Sequence, residues 1–180
     1  FGGGRGPIST ANYYQATHSA LQAQYFIIEV WFKTSSTGTQ RIVGNAHYGN
    51  DDGWALEVNG ANNKLYWYLE DTACCHPYGY STNTVNDGQW HYAVFAKINT
   101  TDPNCNRLYL DGVRQPSGDN TATAFIAKNS IGIGIYQAAS WVFPGILDDV
   151  VFWNNPPTNW TAVDQIVANR WNGGNHKYYK

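Results

Sequence analysis

Methionine is absent from this 180-residue chain, and charged residues make up only 13% of it. No block of Lys and Arg occurs, and a net charge of -2 with a pI near 6.2 gives phosphate no attraction, so nucleic acid is set aside. No run approaches the roughly 18 apolar residues of a membrane span, and no signal-peptide core stands at the start, so membrane insertion is not expected. Because the chain opens at Phe1 without methionine, we expect a processed chain or part of a longer one. Reactive constellations are also missing. There is no Gly-x-Ser-x-Gly elbow to strain a serine nucleophile, and no zinc spacing links the five histidines. His91 is expected to pack within a strand, and His76 to have no metal role.

Cysteine is scarce too. Cys74, Cys75 and Cys105 form an odd set, and adjacent cysteines bridge each other only through a strained ring, so the expected disulfide runs from Cys74 or Cys75 to Cys105. Two sequons, Asn99-Thr100-Thr101 and Asn159-Trp160-Thr161, lie in polar segments and offer Asn99 and Asn159 for glycosylation. Cysteines, sequons and the wealth of Asn, Gly, Tyr and Trp favour an extracellular or surface setting.

What the chain has in abundance is strand and turn formers. Hydrophobic residues reach 43% and aromatics 16%, with little Glu or Lys to build helices, so an all-β chain is expected, a single domain over residues 1–180. Trp90, Tyr92, Val94 and Ala96 share one face of a strand, with His91, Ala93, Phe95 and Lys97 on the other. That pattern is expected when one side packs and the other is mostly wet. Asp87-Gly88 and Asp111-Gly112 supply the positive φ of tight hairpin turns. Phe26, Ile28, Val30 and Phe32 alternate while Ile27 and Trp31 occupy the reverse face, which marks a central strand. Further strands are expected over Arg41 to Gly44, Trp54 to Val58, Leu65 to Leu69, Leu108 to Leu110, Ile131 to Ile135 and Ile146 to Trp153. Thr161 with Asp164 reads as a capping pair opening one short amphipathic helix through Val163, Ile166, Val167 and Arg170.

Several of these segments carry a resemblance. Phe26 to Lys33, Gly53 to Val58, Asp87 to His91, Leu108 to Val113 and Phe143 to Val150 occur in an order that resembles laminin-G-like domains of the concanavalin A-like lectin and glucanase superfamily. The resemblance covers nearly the whole chain. It implies a jelly-roll β-sandwich of two antiparallel sheets with the short C-terminal helix. Members bind glycans, proteins or sulfated polymers, often with calcium at the rim, or serve as adhesive and spacer modules. Glycanases of the superfamily carry a Glu-x-Asp-x-x-Glu type of run, because two carboxylates must flank one glycosidic bond. This chain has none. Asp148 and Asp149 are adjacent, so on a strand they point to opposite faces, and a structural, hydrogen-bonded aspartate is expected there rather than catalysis.

Calcium is the one cofactor to consider. Asn50, Asp51 and Asp52 gather hard oxygens at a turn before Gly53, which suits either calcium or a turn held by Asx hydrogen bonds; Asp102 is a second, weaker candidate. Sugars need flat apolar faces edged by hydrogen-bonding groups. Aromatics outside the strand phases qualify, namely His47 and Tyr48, Tyr78 and Tyr80, and Tyr136 and Trp141. Trp54, Trp67, Trp90 and Trp153 follow strand phases and are expected in the core. The expectation is a non-catalytic, lectin-like recognition module for a glycan or glycoprotein. The alternative is a structural or assembly module of a larger surface fibre, virion appendage or adhesin, contacting neighbouring protein subunits.

Overall fold

Phe26–Lys33 puts large apolar side chains on both of its faces, and such a strand is stable only inside a sheet that is covered on both sides. The computed structural model, which describes residues 14–46, 53–70, 77–100, 104–116, 125–136 and 141–174, places it there. In chain order the strands are β1 (Tyr14–Thr17), β2 (Phe26–Lys33), β3 (Gln40–Gly44), β4 (Trp54–Val58), β5 (Lys64–Leu69), β6 (Tyr78–Thr84), β7 (Trp90–Lys97), β8 (Asn106–Leu110), β9 (Val113–Arg114), β10 (Ser130–Ile133) and β11 (Ile146–Trp153). The helix α1 spans Trp160–Trp171. Two antiparallel sheets result, one of six strands in the order β1-β10-β3-β4-β5-β6 and one of five in the order β11-β2-β7-β8-β9, the sandwich expected.

The main core lies between the sheets. Phe26, Ile28, Val30 and Phe32 meet Ala93, Phe95, Leu108 and Leu110 on one side and Trp54, Leu56, Leu65, Trp67 and Leu69 on the other. Trp67 stacks on Phe95 at 4.7 Å, and Phe26 lies 4.8 Å from Trp54. The expectation for β7 therefore needs correction, since the His91, Ala93 and Phe95 face is the inner one. The Tyr92, Val94 and Ala96 face is covered as well, by Trp160, Val163 and Val167 of α1. Trp90 shares that outer phase but sits at the first residue of β7, beyond the reach of the helix, and is 40% exposed; it is not a core residue. Trp153 is half-buried and donates its indole N–H to Glu29.

Glu29 is the polar hub under the helix. It is buried, and it accepts from Tyr92 Oη at 2.5 Å and from Arg170 Nε at 2.8 Å. A buried carboxylate needs such partners, and they fix α1 against the sheet. The helix is capped by Asn159, whose side chain accepts from Ala162 N at 2.9 Å, two residues earlier than the Thr161 cap expected. Asp164 instead accepts from Tyr109 Oη at 2.6 Å.

Asp111 (φ 52°) and Gly112 (φ 76°) form the expected tight turn between β8 and β9. Asp87-Gly88 does not form a hairpin. Only Gly88 has positive φ, and the segment carries the chain from β6 in one sheet to β7 in the other.

Candidate functional site

Where one face of a strand is committed to the core, the sequence of its other face is free to serve a ligand. In β4, Trp54, Leu56 and Val58 point inward, which turns Ala55 and Glu57 outward. In β5, Leu65, Trp67 and Leu69 do the same to Tyr66 and Tyr68. Register aligns these outward positions into two rows across four strands. Arg41, Glu57, Tyr66 and Tyr80 make one row, and Gly44, Ala55, Tyr68 and Tyr78 the next.

The rows carry a buried ion pair flanked by rings. Arg41 Nε lies 2.7 Å from Glu57 Oε1, and Arg41 Nη2 donates to Tyr68 Oη at 2.8 Å. Both charged residues are buried, and small residues in the second row admit the guanidinium: a Cβ on Gly44 would stand 2.8 Å from Arg41 Nη1. Burial pushes the Glu57 carboxyl up, against the opposing pull of Arg41 and the Tyr68 hydroxyl. Burial likewise pushes Tyr66 and Tyr68 above the usual tyrosine range, with the neighbouring Tyr80, Glu57 and Glu70 adding to the rise at Tyr66, so these phenols stay neutral hydrogen-bond donors.

On one side of the pair, the Tyr136 ring lies 4.7 Å beneath the Arg41 guanidinium, and Trp141 stacks on Tyr136 at 4.7 Å. Trp141 is held by its own backbone. Its φ is 53°, and its carbonyl accepts from Arg41 N at 2.8 Å. On the other side Tyr66 stacks with Tyr68 at 5.3 Å and with Tyr80 at 4.6 Å, and Tyr78 meets Tyr80 edge-on at 5.8 Å. Tyr78 is 44% exposed, while Tyr66, Tyr80, Tyr136 and Trp141 are half-buried. The result is a connected aromatic band across the outer face of the six-stranded sheet.

Four of the ligand residues expected from sequence thus lie on this band: Tyr136, Trp141, Tyr78 and Tyr80. Tyr78 and Tyr80 belong to the edge strand β6, not to a loop. That strand escaped notice because its inward positions are Gly79 and Ser81 rather than large apolar residues; Ser81 Oγ accepts from Leu65 N where the β5–β6 register shifts. Arg41, Glu57, Tyr66 and Tyr68 were not foreseen as site residues, although the outward phase of β4 and β5 was readable. His47, Tyr48, Asn50, Asp51, Asp52, Cys74, Cys75, His76 and Asp102 lie outside the described residues. Among the described residues no three of His, Cys, Asp and Glu gather to hold a metal.

The remaining candidates are elsewhere. Asp148 is buried on β11 and its Oδ1 accepts from Asp149 N at 2.9 Å across a bulge where Asp149 has φ 44°, a structural arrangement. His91 packs 5.5 Å from the Phe32 ring, with Nδ1 2.8 Å from Asp111 and Nε2 3.1 Å from Asp87. Cys105 is buried and forms no disulfide among the described residues; Cys74 and Cys75, its expected partners, lie outside them. Asn99 and Asn159 are both exposed.

A family model described as the concanavalin A-like lectin/glucanases superfamily matches residues 9–161. The chain belongs to that superfamily. The carbohydrate-binding module (CBM40) of the Ruminococcus gnavus IT-sialidase, solved with α2,3-sialyllactose, superposes with a TM-score of 0.69 at 15% identity, over 92% of this chain and 97% of that one. Domains LG4-5 of the mouse laminin α1 chain give a TM-score of 0.57 at 15% identity, over 79% and 43%. The binding domain of botulinum neurotoxin DC, solved with rat synaptotagmin II, gives 0.60 at 12% identity, over 84% and 36%. The chain therefore spans less than half of the laminin and neurotoxin chains. At these identities the likeness is one of fold. No curated protein sequence matches the chain. No helix of the described residues is long and apolar enough to cross a membrane.

Proposed function

We propose that this superfamily member is a non-catalytic, lectin-like recognition module of the cell or virion surface or the extracellular space. In this reading it binds a glycan, free or on a glycoprotein, on the outer face of the six-stranded sheet. The observation that carries this reading is the aromatic band from Trp141 and Tyr136 through Arg41 and Tyr68 to Tyr66, Tyr80 and Tyr78. Exposed Tyr78 and half-buried Tyr66, Tyr80, Tyr136 and Trp141 offer flat apolar surface to the C–H face of a sugar, while buried Tyr68 links them, and the phenols edge that surface with hydroxyls that both donate and accept. Because the band crosses strands, it suits an oligosaccharide laid across the sheet better than a single terminal sugar. Arg41 is matched by Glu57, so the band carries no net positive charge and favours neutral sugars over sulfated or acidic ones.

The same ion pair argues for binding over catalysis. Glu57 is engaged by Arg41, and Asp148 and Asp149 sit on β11 of the other sheet, so neither Glu57 nor that aspartate pair is set to attack a glycosidic bond on the band. A second reading, an assembly module contacting a protein subunit, is favoured by Trp90, whose 40% exposure lies off the band on the opposite sheet.

A glycan array with and without a calcium chelator, followed by titration calorimetry on Tyr78→Ala, tests the proposal. Binding of a neutral oligosaccharide that the variant loses while its melting point holds supports it. An array without a hit, with a protein partner retained by Trp90-dependent contact, overturns it in favour of the second reading. The chelator arm assigns calcium at Asn50, Asp51 and Asp52 its part or removes it.

A further inference from the structure

β7 and β8 end side by side, and their last rungs are polar in an otherwise apolar ladder. Lys97 closes β7 and pairs in register with Asn106, the first residue of β8; Ile98 N donates to Cys105 O at 3.1 Å and locks the two ends together. Lys97 and Cys105 are each 3% exposed, and Lys97 Nζ lies 3.9 Å from Cys105 Sγ. The nearest aromatic face is that of Tyr25, 5.6 Å from the ammonium. No carboxylate among the described residues pairs with Lys97, and the side chain of Asn106, fully buried beside it, has neither its oxygen nor its nitrogen hydrogen-bonded.

A buried ammonium with a thiol for its neighbour is costly, and the cost falls when the amine gives up its proton. Burial accordingly lowers Lys97 below the usual lysine range, with Cys105 opposing. The pair thus places an amine at a sulfur, beside the buried and unbonded Asn106 side chain. The chain comes to the surface two residues beyond Lys97, at exposed Asn99.

We propose that Lys97 and Cys105 form an oxidation-sensitive modification site, at which a peroxide drives a reversible N–S cross-link between the two side chains. In the first step the Cys105 sulfur attacks one oxygen of hydrogen peroxide, and the O–O bond breaks. Sulfenic acid and one water result. In the second step the Lys97 amine, once it has lost its ammonium proton, attacks that sulfur, the S–O bond breaks, and the hydroxyl leaves with an amine proton as a second water. Sulfur is oxidised by two electrons and the peroxide is reduced. Two equivalents of an external thiol return the free amine and the free thiol and leave as a disulfide. The cross-link joins positions the ladder already holds together, so it forms without rearranging the sandwich.

The full chain, treated with hydrogen peroxide and digested, is read by peptide mass spectrometry. The expected product is one linked peptide containing Lys97 and Cys105, lighter than the sum of its parts by two hydrogens and released by dithiothreitol. It disappears in Cys105→Ser and in Lys97→Arg, and in Lys97→Met should the arginine variant fold poorly. A disulfide from Cys105 to Cys74 or Cys75, or oxidation of Cys105 to sulfinic acid without any link, overturns the proposal. The readout is independent of any glycan.

Discussion

Tyr66 and Tyr80 are direct register partners across β5 and β6, and their rings stack at 4.6 Å on the face turned away from the core. Cross-strand aromatic pairs stabilise a sheet by up to about 1 kcal/mol, but this one continues into Tyr78 and Tyr68, further than pairing of an edge strand requires. An edge strand with bare rings is a hazard unless something occupies them. Its polar, small-residue inner face, Gly79 and Ser81, leaves the tyrosines as its main apolar content.

Tyr78→Ala is expected to weaken ligand binding by about 1 to 3 kcal/mol and to leave the melting point nearly unchanged, since the ring is 44% exposed. Trp141→Ala should weaken binding to a similar degree, because its carbonyl still accepts from Arg41 N when the side chain is gone. Calorimetry beside melting curves checks both; intact affinity with a lowered melting point would place these rings in packing alone.

Arg41→Met is expected to be far more damaging. It strands Glu57 in a buried site where, among the described residues, Tyr68 Oη at 3.4 Å is the remaining hydrogen-bond partner of its side chain. Breaking a buried pair from one side costs about 3 to 5 kcal/mol, whereas removing both charges is far less costly. Urea titrations of Arg41→Met, Glu57→Gln and the double variant should therefore be strongly non-additive, with the double variant the more stable of the Arg41 variants.

Much of the fold was legible because apolar residues alternate where a sheet faces the core. β2, β4, β5 and β8 declare themselves through Phe26 to Phe32, Trp54 to Val58, Leu65 to Leu69 and Leu108 to Leu110. β6 did not, because Gly79 and Ser81 replace the apolar beat. Half of the band was legible as aromatics lacking a core phase. The other half, Arg41, Glu57, Tyr66 and Tyr68, required knowing which strands are neighbours, and pairing across β3 to β6 is not encoded in any one segment. Trp90 misled for a related reason. Phase fixes the face of a residue but not how far along that face a helix reaches.

Trp90→Ala tests that last point directly. A tryptophan buried under the helix would cost about 3 to 5 kcal/mol on truncation, but at 40% exposure the expected loss is about 1 kcal/mol or less. Tyr92→Ala, two residues on and 1% exposed, should cost several times more, since it also removes a hydroxyl that donates to buried Glu29. Denaturant midpoints for the two variants, compared at equal slope, settle the order.

His91 gives the sandwich its own pH dependence. Both ring nitrogens face carboxylates, Asp111 at 2.8 Å and Asp87 at 3.1 Å, and an imidazole donates from both only when protonated. Burial alone would lower His91, but the two carboxylates outweigh it and raise the group above its ordinary 6.5. A raised folded-state value means the imidazolium contributes its full stability below about pH 6.5 and loses it as pH climbs through the folded value. Asp87 acts in the opposite sense. The backbone N–H of Gln89, then His91, hold it below its ordinary 3.8, so its contribution is present above that pH and lost on acidification. The melting point should therefore peak in mildly acidic buffer and fall as pH rises above about 6.5. In His91→Gln the fall on the alkaline side should flatten, because an amide of similar reach does not titrate, while the acid limb from Asp87 and other carboxylates persists. A wild-type melting point that holds level or rises across that alkaline range would mean that the ring stays neutral between its two carboxylates.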